Sequence, residues 1–267
     1  MEELLGKRLF ASYLSMLEDL DLEAAFAAVK ARAWTVEQFN FVTAVSVMSS
    51  SRIEGEPLEV DSYVKHKMLH VEYLPNLTER PNDLYAAYEF SRDNPLNRSN
   101  FYYAHSIATR HLLPENQRGR IRTGNMLIMD AQSQRIQYEA APASLVQAAF
   151  EQFWDTVDQL LAVPLSTAEV FYYASCIHLV FVKIHPFNDG NGRAARLLEK
   201  WFLSSHLGQN AWYIPSELYY YKHLNEYYNN LARIGLFFEA LDYEKSLPFL
   251  LMLAKAVESR EEDKNKS

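Results

Sequence analysis

The chain is poor in glycine, nearly without cysteine and short of positive charge, and each shortage narrows what it can be. Eight glycines in 267 residues is about 3%, against a usual ~7%. Apolar residues also recur every three or four positions, and prolines sit isolated at segment edges. Together these features predict a mainly helical, all-α fold. Cys176 is the only cysteine, so no intrachain disulfide forms, and its apolar neighbours mark it as an inert core thiol. Twenty-six Lys and Arg against 34 Asp and Glu leave a net charge of −8. Such a surface repels a phosphate backbone and argues against nucleic acid as a partner. A nucleotide substrate stays open, because a few arginines and a metal can reverse the field within one pocket. The longest apolar run, Val170 to Val182, contains His178 and is followed by Lys183. It is too short to span a bilayer and predicts a buried helix. The first residues, Met1 to Lys7, are acidic with no apolar run behind them, unlike a signal peptide. A cytoplasmic chain with no membrane partner is expected. No Gly-x-x-x-x-Gly-Lys-Ser/Thr string occurs, so a P-loop enzyme is not supported.

What is present is a globular composition, 49% hydrophobic and 22% charged, enough for one large domain or two modest ones. Thr35 with Gln38 and Ser166 with Glu169 fit the capping-box spacing and predict two helix starts. After Thr35, Val36, Phe39, Val42, Val45 and Met48 mark one helical face. Pro142 suits the first turn of a further helix reaching about Leu161. One region departs from the helical pattern: Gly119 to Met129 and Ile136 to Tyr138 predict two short strands around a polar turn, a small β-hairpin. Five of the glycines stand at Gly55, Gly119, Gly124, Gly190 and Gly192, where a helical protein needs backbone freedom or close approach of a ligand.

The densest chemistry is His185-Pro186-Phe187-Asn188-Asp189-Gly190-Asn191-Gly192-Arg193-Ala194-Ala195-Arg196, between two predicted helices. Gly190 to Gly192 opens the second of these, where free N–H groups and the positive dipole end form an anion site. Arg193 and Arg196 can add charge-assisted bonds to phosphate oxygens. Asp189 would repel a phosphate there unless a bridging Mg²⁺ binds both. His185 can serve as a general base. The four parts together describe phosphoryl or nucleotidyl transfer.

The string resembles, at every fixed position, the signature of the Fic (filamentation induced by cAMP) family, His-x-Phe-x-Asp/Glu-Gly-Asn-Gly-Arg-x-x-Arg. A looser likeness runs from about Val36 to Leu253. It implies an N-terminal helical region over 1–80 and a catalytic core over 81–257, while the composition of 258–267 predicts a flexible charged tail. It also implies AMP transfer from ATP, with Mg²⁺ or Mn²⁺ on Asp189, to a Tyr, Ser or Thr hydroxyl. His185 would deprotonate that hydroxyl. The nucleotide would be held by Gly190, Asn191, Gly192, Arg193 and Arg196, and the 119–139 hairpin would be a flap on which a target protein docks. Tyr227 and Tyr228 stand near where family members hold adenine, and Tyr228 is the candidate pocket residue. Oligomeric state is open, a homo-oligomer included.

Ser50-Ser51-Arg52-Ile53-Glu54-Gly55 resembles the family's inhibitory motif Ser/Thr-x-x-x-Glu-Gly/Asn. The resemblance implies that Glu54 pairs with Arg196 and blocks the γ-phosphate position, with Ser50 and Gly55 as its fixed neighbours. The rival readings are a non-catalytic nucleotide-sensing module, against which His185 stands, and a Fic-fold kinase, against which the intact Gly190-Asn191-Gly192-Arg193 stands. AMP removal by the same site stays open. His66 and His70, four apart, have no obvious third zinc ligand and do not match His-Glu-x-x-His; two solvated helix histidines are expected.

Overall fold

The axis of the fold is α8, Thr167–Ile184, whose residues are buried on nearly every side from Val170 onward. It starts as its sequence predicts: the Ser166 N–H donates to Glu169 Oε2 at 2.8 Å and the Glu169 N–H returns to Ser166 Oγ. Around it pack α1 (Lys7–Ser15), α2 (Leu22–Lys30), α7 (Val146–Leu161), α9 (Asn191–Leu207) and α12 (Leu247–Glu262). A second layer is built on α3 (Val36–Ile53), which touches α4 (Val60–Leu69), α5 (Pro75–Asp93), α9 and α10 (Ser216–Lys222). The helices α6 (Arg98–Ala108) and α11 (Leu224–Arg233) complete the set. The computed structural model describes residues 6–18, 20–31, 35–129 and 136–262, with side chains through 258. Among the described residues α8 is the one helix long and apolar enough to cross a membrane, and it lies inside the packed core.

The capping box of Thr35 and Gln38 opens α3 as expected. Its buried side differs from the predicted stripe. Val36 is exposed and Val42 and Val45 are half-buried, whereas every residue from Ser46 to Ser51 is buried. Four of those six are serines, small enough for neighbouring helices to close on the second half of α3 from several directions. Pro142 lies in a turn before α7, its carbonyl accepting from the Leu145 and Val146 N–H groups, so the helix begins at Val146 rather than at the proline. The division drawn after residue 80 falls inside α5, and the stretch expected as a tail from 258 starts within α12.

The hairpin pairs β1 (Leu127–Met129) antiparallel with β2 (Ile136–Glu139). The polar turn between them lies outside the described residues. Gly119 to Met126 is not a strand apart from one bridge between Ile121 and Phe187. Its backbone turns instead toward the 185–190 loop, the Arg122 N–H donating to the Pro186 carbonyl at 2.9 Å.

Candidate active site

The loop between α8 and α9 is fixed from three directions. His185 ends α8 in a left-handed conformation, φ 52°, and Pro186 cannot continue a helix. Phe187 is fully buried beneath the loop, its ring stacked on His105 with centroids 3.7 Å apart. Asn191 closes the loop on itself: its Nδ2 donates to the Phe187 carbonyl and its Oδ1 accepts the Phe187 N–H, both at 2.9 Å. The Asn191 side chain is therefore a buried clamp of the loop that carries the expected anion-binding N–H groups. Gly190 has φ +78°, and an added Cβ would strike the Thr109 methyl. A Cβ on Gly192 would collide with Glu54 Oε1.

Two residues outside the motif hold the loop, and sequence reasoning missed both roles. His105 accepts the Gly119 N–H at Nδ1 and lies 3.0 Å from the Asp189 carbonyl at Nε2. A carbonyl only accepts, so the hydrogen is on Nε2 and the ring is neutral. Burial pushes its pKa down to about 4, which agrees. Arg122, buried, donates to the carbonyls of His185, Gly124, Ala141 and Ile184. It ties the flap to the loop through one side chain. The single signal in the sequence was its place between Gly119 and Gly124.

The reactive groups converge on a cavity of about 500 Å³ lined by His185, Gly192, Arg196, Glu54, Tyr228 and the hairpin's Gln137, among others. His185 Nδ1 lies 3.2 Å from the Val182 carbonyl and 3.1 Å from the Tyr138 hydroxyl. The carbonyl requires a hydrogen on Nδ1, which leaves the Nε2 lone pair as the base. Burial pushes the imidazole down to about 4, so it is neutral at neutral pH. Arg193 is buried at the first turn of α9, and its Nε and Nη1 have no hydrogen-bond partner. Its ion-pair partner, Asp189 Oδ1, is 3.7 Å from Nη2. A buried guanidinium with open donors at a helix N-terminus suits an anion. Asp189 is half-exposed, and its Oδ1 accepts the Gly190 N–H at 2.6 Å. One such carboxylate beside a phosphate position fits Mg²⁺, which binds through one or two carboxylates plus phosphate oxygens. No group of three acidic, His or Cys residues stands ready to hold a metal unaided among the described residues.

Arg196 is fully buried and fully engaged. Nε donates to Ser50 Oγ at 2.8 Å, Nη2 to the Ser50 carbonyl at 3.0 Å and to Glu54 Oε1 at 2.6 Å, and Nη1 to the Tyr227 hydroxyl at 3.2 Å. Glu54 occupies the C-cap of α3, and Gly55 follows at φ +88°, a conformation glycine supplies at no steric cost. Burial opposes the Glu54 charge, yet Arg196 and then Arg193 outweigh it and hold the carboxyl below its ordinary range. The Tyr228 hydroxyl donates to the Ile53 carbonyl at 2.9 Å, so this candidate adenine neighbour also fastens the end of α3. His66 and His70 do not form a pair on one helix: His70 caps α4 at φ 56°, and His66 Nδ1 bonds the Val71 carbonyl.

Residues 95–203 match the model of the Fic/DOC family. No curated protein sequence matches the chain. Among solved structures, a Fic family protein from Desulfovibrio desulfuricans is 23% identical with a TM-score of 0.73, over 91% of this chain and 74% of that one. A Fic domain containing signaling protein from Bacteroides thetaiotaomicron is 18% identical, TM-score 0.65, over 88% and 92%. Fic-1 from C. elegans is 17% identical, TM-score 0.64, over 96% and 74%. At those identities the likeness is one of fold. The family match spans the hairpin and the loop but neither Glu54 nor Tyr228.

Proposed function

The chain carries a Fic/DOC family domain, and from that premise we propose that it transfers AMP from ATP to a hydroxyl of a target protein, with Glu54 holding the site shut. The observation that carries this reading is one arrangement: a neutral His185 and an Arg196 occupied by a carboxylate on the wall of one cavity, and, in the first turn of α9, an Arg193 with open buried donors. His185 Nε2 takes the proton of a Tyr, Ser or Thr hydroxyl. The oxygen bonds to the α-phosphorus, the bond from that phosphorus to the oxygen bridging to the β-phosphorus breaks, and pyrophosphate leaves. The amides at the start of α9 hold the α- and β-phosphates, Arg193 takes β-phosphate oxygens, and Arg196 takes the γ-phosphate once Glu54 releases it. Asp189 would hold Mg²⁺ or Mn²⁺, which neutralises polyphosphate charge. Glu54 excludes ATP doubly, by occupying Arg196 and by placing negative charge where the γ-phosphate would sit. The target segment docks on the hairpin, whose Leu127, Met129 and Ile136 are exposed.

Intact-mass measurement after incubation with ATP and Mg²⁺ tests the reading. The Glu54→Gly variant should gain the mass of AMP on itself or on an added acceptor. A gain of phosphate would make the protein a kinase. No gain on any acceptor, with ATP bound, would make it a nucleotide sensor.

A further inference from the structure

Behind Arg196 runs a buried chain of polar groups that the proposed chemistry does not use. The Tyr227 hydroxyl accepts from Arg196 Nη1 at 3.2 Å and lies 3.0 Å from His178 Nε2. His178 Nδ1 lies 2.7 Å from Glu199 Oε2, which also accepts the Tyr220 hydroxyl at 2.8 Å. His178, Glu199, Tyr220 and Tyr227 are all buried, and they come from α8, α9, α10 and α11. Polar groups in such a place cost stability unless they are bonded; all of these but Glu199 Oε1 are bonded, so the chain is a built feature.

The directions of these bonds follow from the groups. Glu199 only accepts, so His178 Nδ1 carries a hydrogen. Protonating Nε2 as well would aim a second cationic donor at the phenol oxygen that already takes Arg196. The Nε2 lone pair therefore accepts the Tyr227 O–H, and the phenol oxygen is left to receive Arg196. Glu199 fixes His178, His178 fixes the phenol hydrogen, and the phenol fixes one edge of the guanidinium.

We propose that Tyr227, oriented by His178 and Glu199, is a positioning residue that keeps Arg196 aimed at the distal phosphates of ATP once Glu54 has left. The proposal rests on the AMP-transfer reading for its substrate. In the closed site Arg196 has three other bonds, to Ser50 and Glu54. When ATP displaces Glu54 that bond is lost; Ser50 stays on the Nε and Nη2 side, and Tyr227 is the partner on the Nη1 edge. A guanidinium without it would have more freedom to lose on meeting phosphate, an entropic cost that appears in binding.

The test compares Glu54→Gly with Glu54→Gly/Tyr227→Phe by calorimetry, using ATP and AMP as ligands with Mg²⁺. Phenylalanine keeps the ring and removes only the oxygen. ATP affinity should fall about tenfold, the size of one lost bond to a charged group, while AMP affinity, which needs no distal-phosphate ligand, stays within about twofold. In transfer assays KM for ATP should rise with kcat little changed, because the interaction lost is made equally in ground and transition states. Glu54→Gly/Glu199→Ala should reproduce the ATP-selective loss in weaker form. Equal weakening of ATP and AMP, or no weakening of either, would overturn the relay. An ATP-selective loss in a protein that transfers no AMP would uphold the relay and refute the transferase reading. Absence of ATP binding in Glu54→Gly would overturn both.

Discussion

The 185–196 loop and the 50–55 segment meet at Arg196, but they are held in different ways. The loop is overdetermined: Asn191 clamps Phe187, His105 holds the Asp189 carbonyl, Arg122 holds four carbonyls, and Phe187 is buried beneath. The segment is held by a comparable number of bonds, most of them from side chains that reach other elements. These are Glu54 and Ser50 to Arg196, Tyr228 to the Ile53 carbonyl, and Arg52 to Tyr221 and to the Glu56 and Pro57 carbonyls. Glu54 itself is part-exposed. A preorganised phosphate site must not move during chemistry, whereas a plug must leave. Under the proposed function the loop is the machinery and the part-exposed Glu54 the switch.

The largest effect should come from breaking the machinery. In the Glu54→Gly background, His185→Ala should lower transfer by about 10²–10⁴ while ATP still binds. Quantified labelling with ATP carrying an α-phosphate tag reads this, and near-unchanged labelling would remove His185 from the mechanism. Next comes Arg122→Met, which strands four carbonyls and unties the flap. Stability should fall by about 3 kcal/mol, since bonds to charged groups are worth ~1.5–3 kcal/mol each before relaxation; urea unfolding measures it. A loss no larger than that of an exposed arginine would contradict the clamp.

Acid should separate the two regions by kind. His105 and His185 both have folded pKa values pushed down to about 4, mainly by burial, from ~6.5 when unfolded. Their neutral burial therefore adds stability that is fully present above about pH 6.5 and lost as pH falls toward about 4. The Glu54 carboxyl is depressed by Arg196 and Arg193. Its pairing is complete above the ordinary carboxylate value and fails only below it. Unfolding midpoints should thus decline between about pH 6.5 and 4, while the weak ATP affinity of the wild type stays flat down to about pH 5. ATP affinity that rises as pH drops from 7 to 6 would show that the plug is not a carboxylate–arginine pair.

The smallest effect belongs to Tyr228→Phe, which keeps an aromatic ring beside the cavity and removes the hydroxyl bound to Ile53. One neutral bond is worth about 1 kcal/mol, so ATP affinity should rise about fivefold. Calorimetry on the wild-type background reads it. A fall would mean that the hydroxyl binds nucleotide rather than the inhibitory segment.

Contiguity decided how much could be read ahead. The motif supplied His185, Asp189, Arg193 and Arg196 because their chemistry lies within twelve consecutive positions, and the capping boxes at Thr35 and Ser166 were legible because they are local. Glu54 was legible through a six-residue string. The clamp made by the Asn191 side chain was not legible, because only the loop's curvature aims it at Phe187. Arg122, His105, Tyr138 and Tyr227 reach the site through bonds spanning 31 to 84 positions. No spacing rule ties such residues together. The strand expected from Gly119 failed for a similar reason: its β-like residues spend their backbone bonds on the 185–190 loop instead of on a neighbouring strand.

ATP affinity in three proteins bears most directly on the claim that an arginine–carboxylate plug governs this site. If the Glu54–Arg196 pair favours the closed state by about 2.7 kcal/mol, Glu54→Gly should bind ATP roughly a hundredfold tighter than wild type. Arg196→Ala should not gain, because it removes the plug's anchor and the γ-phosphate's ligand together. Calorimetry with ATP and Mg²⁺ should therefore give a large increase for the first variant and none for the second. Equal gains in both variants, or none in Glu54→Gly, would contradict the account.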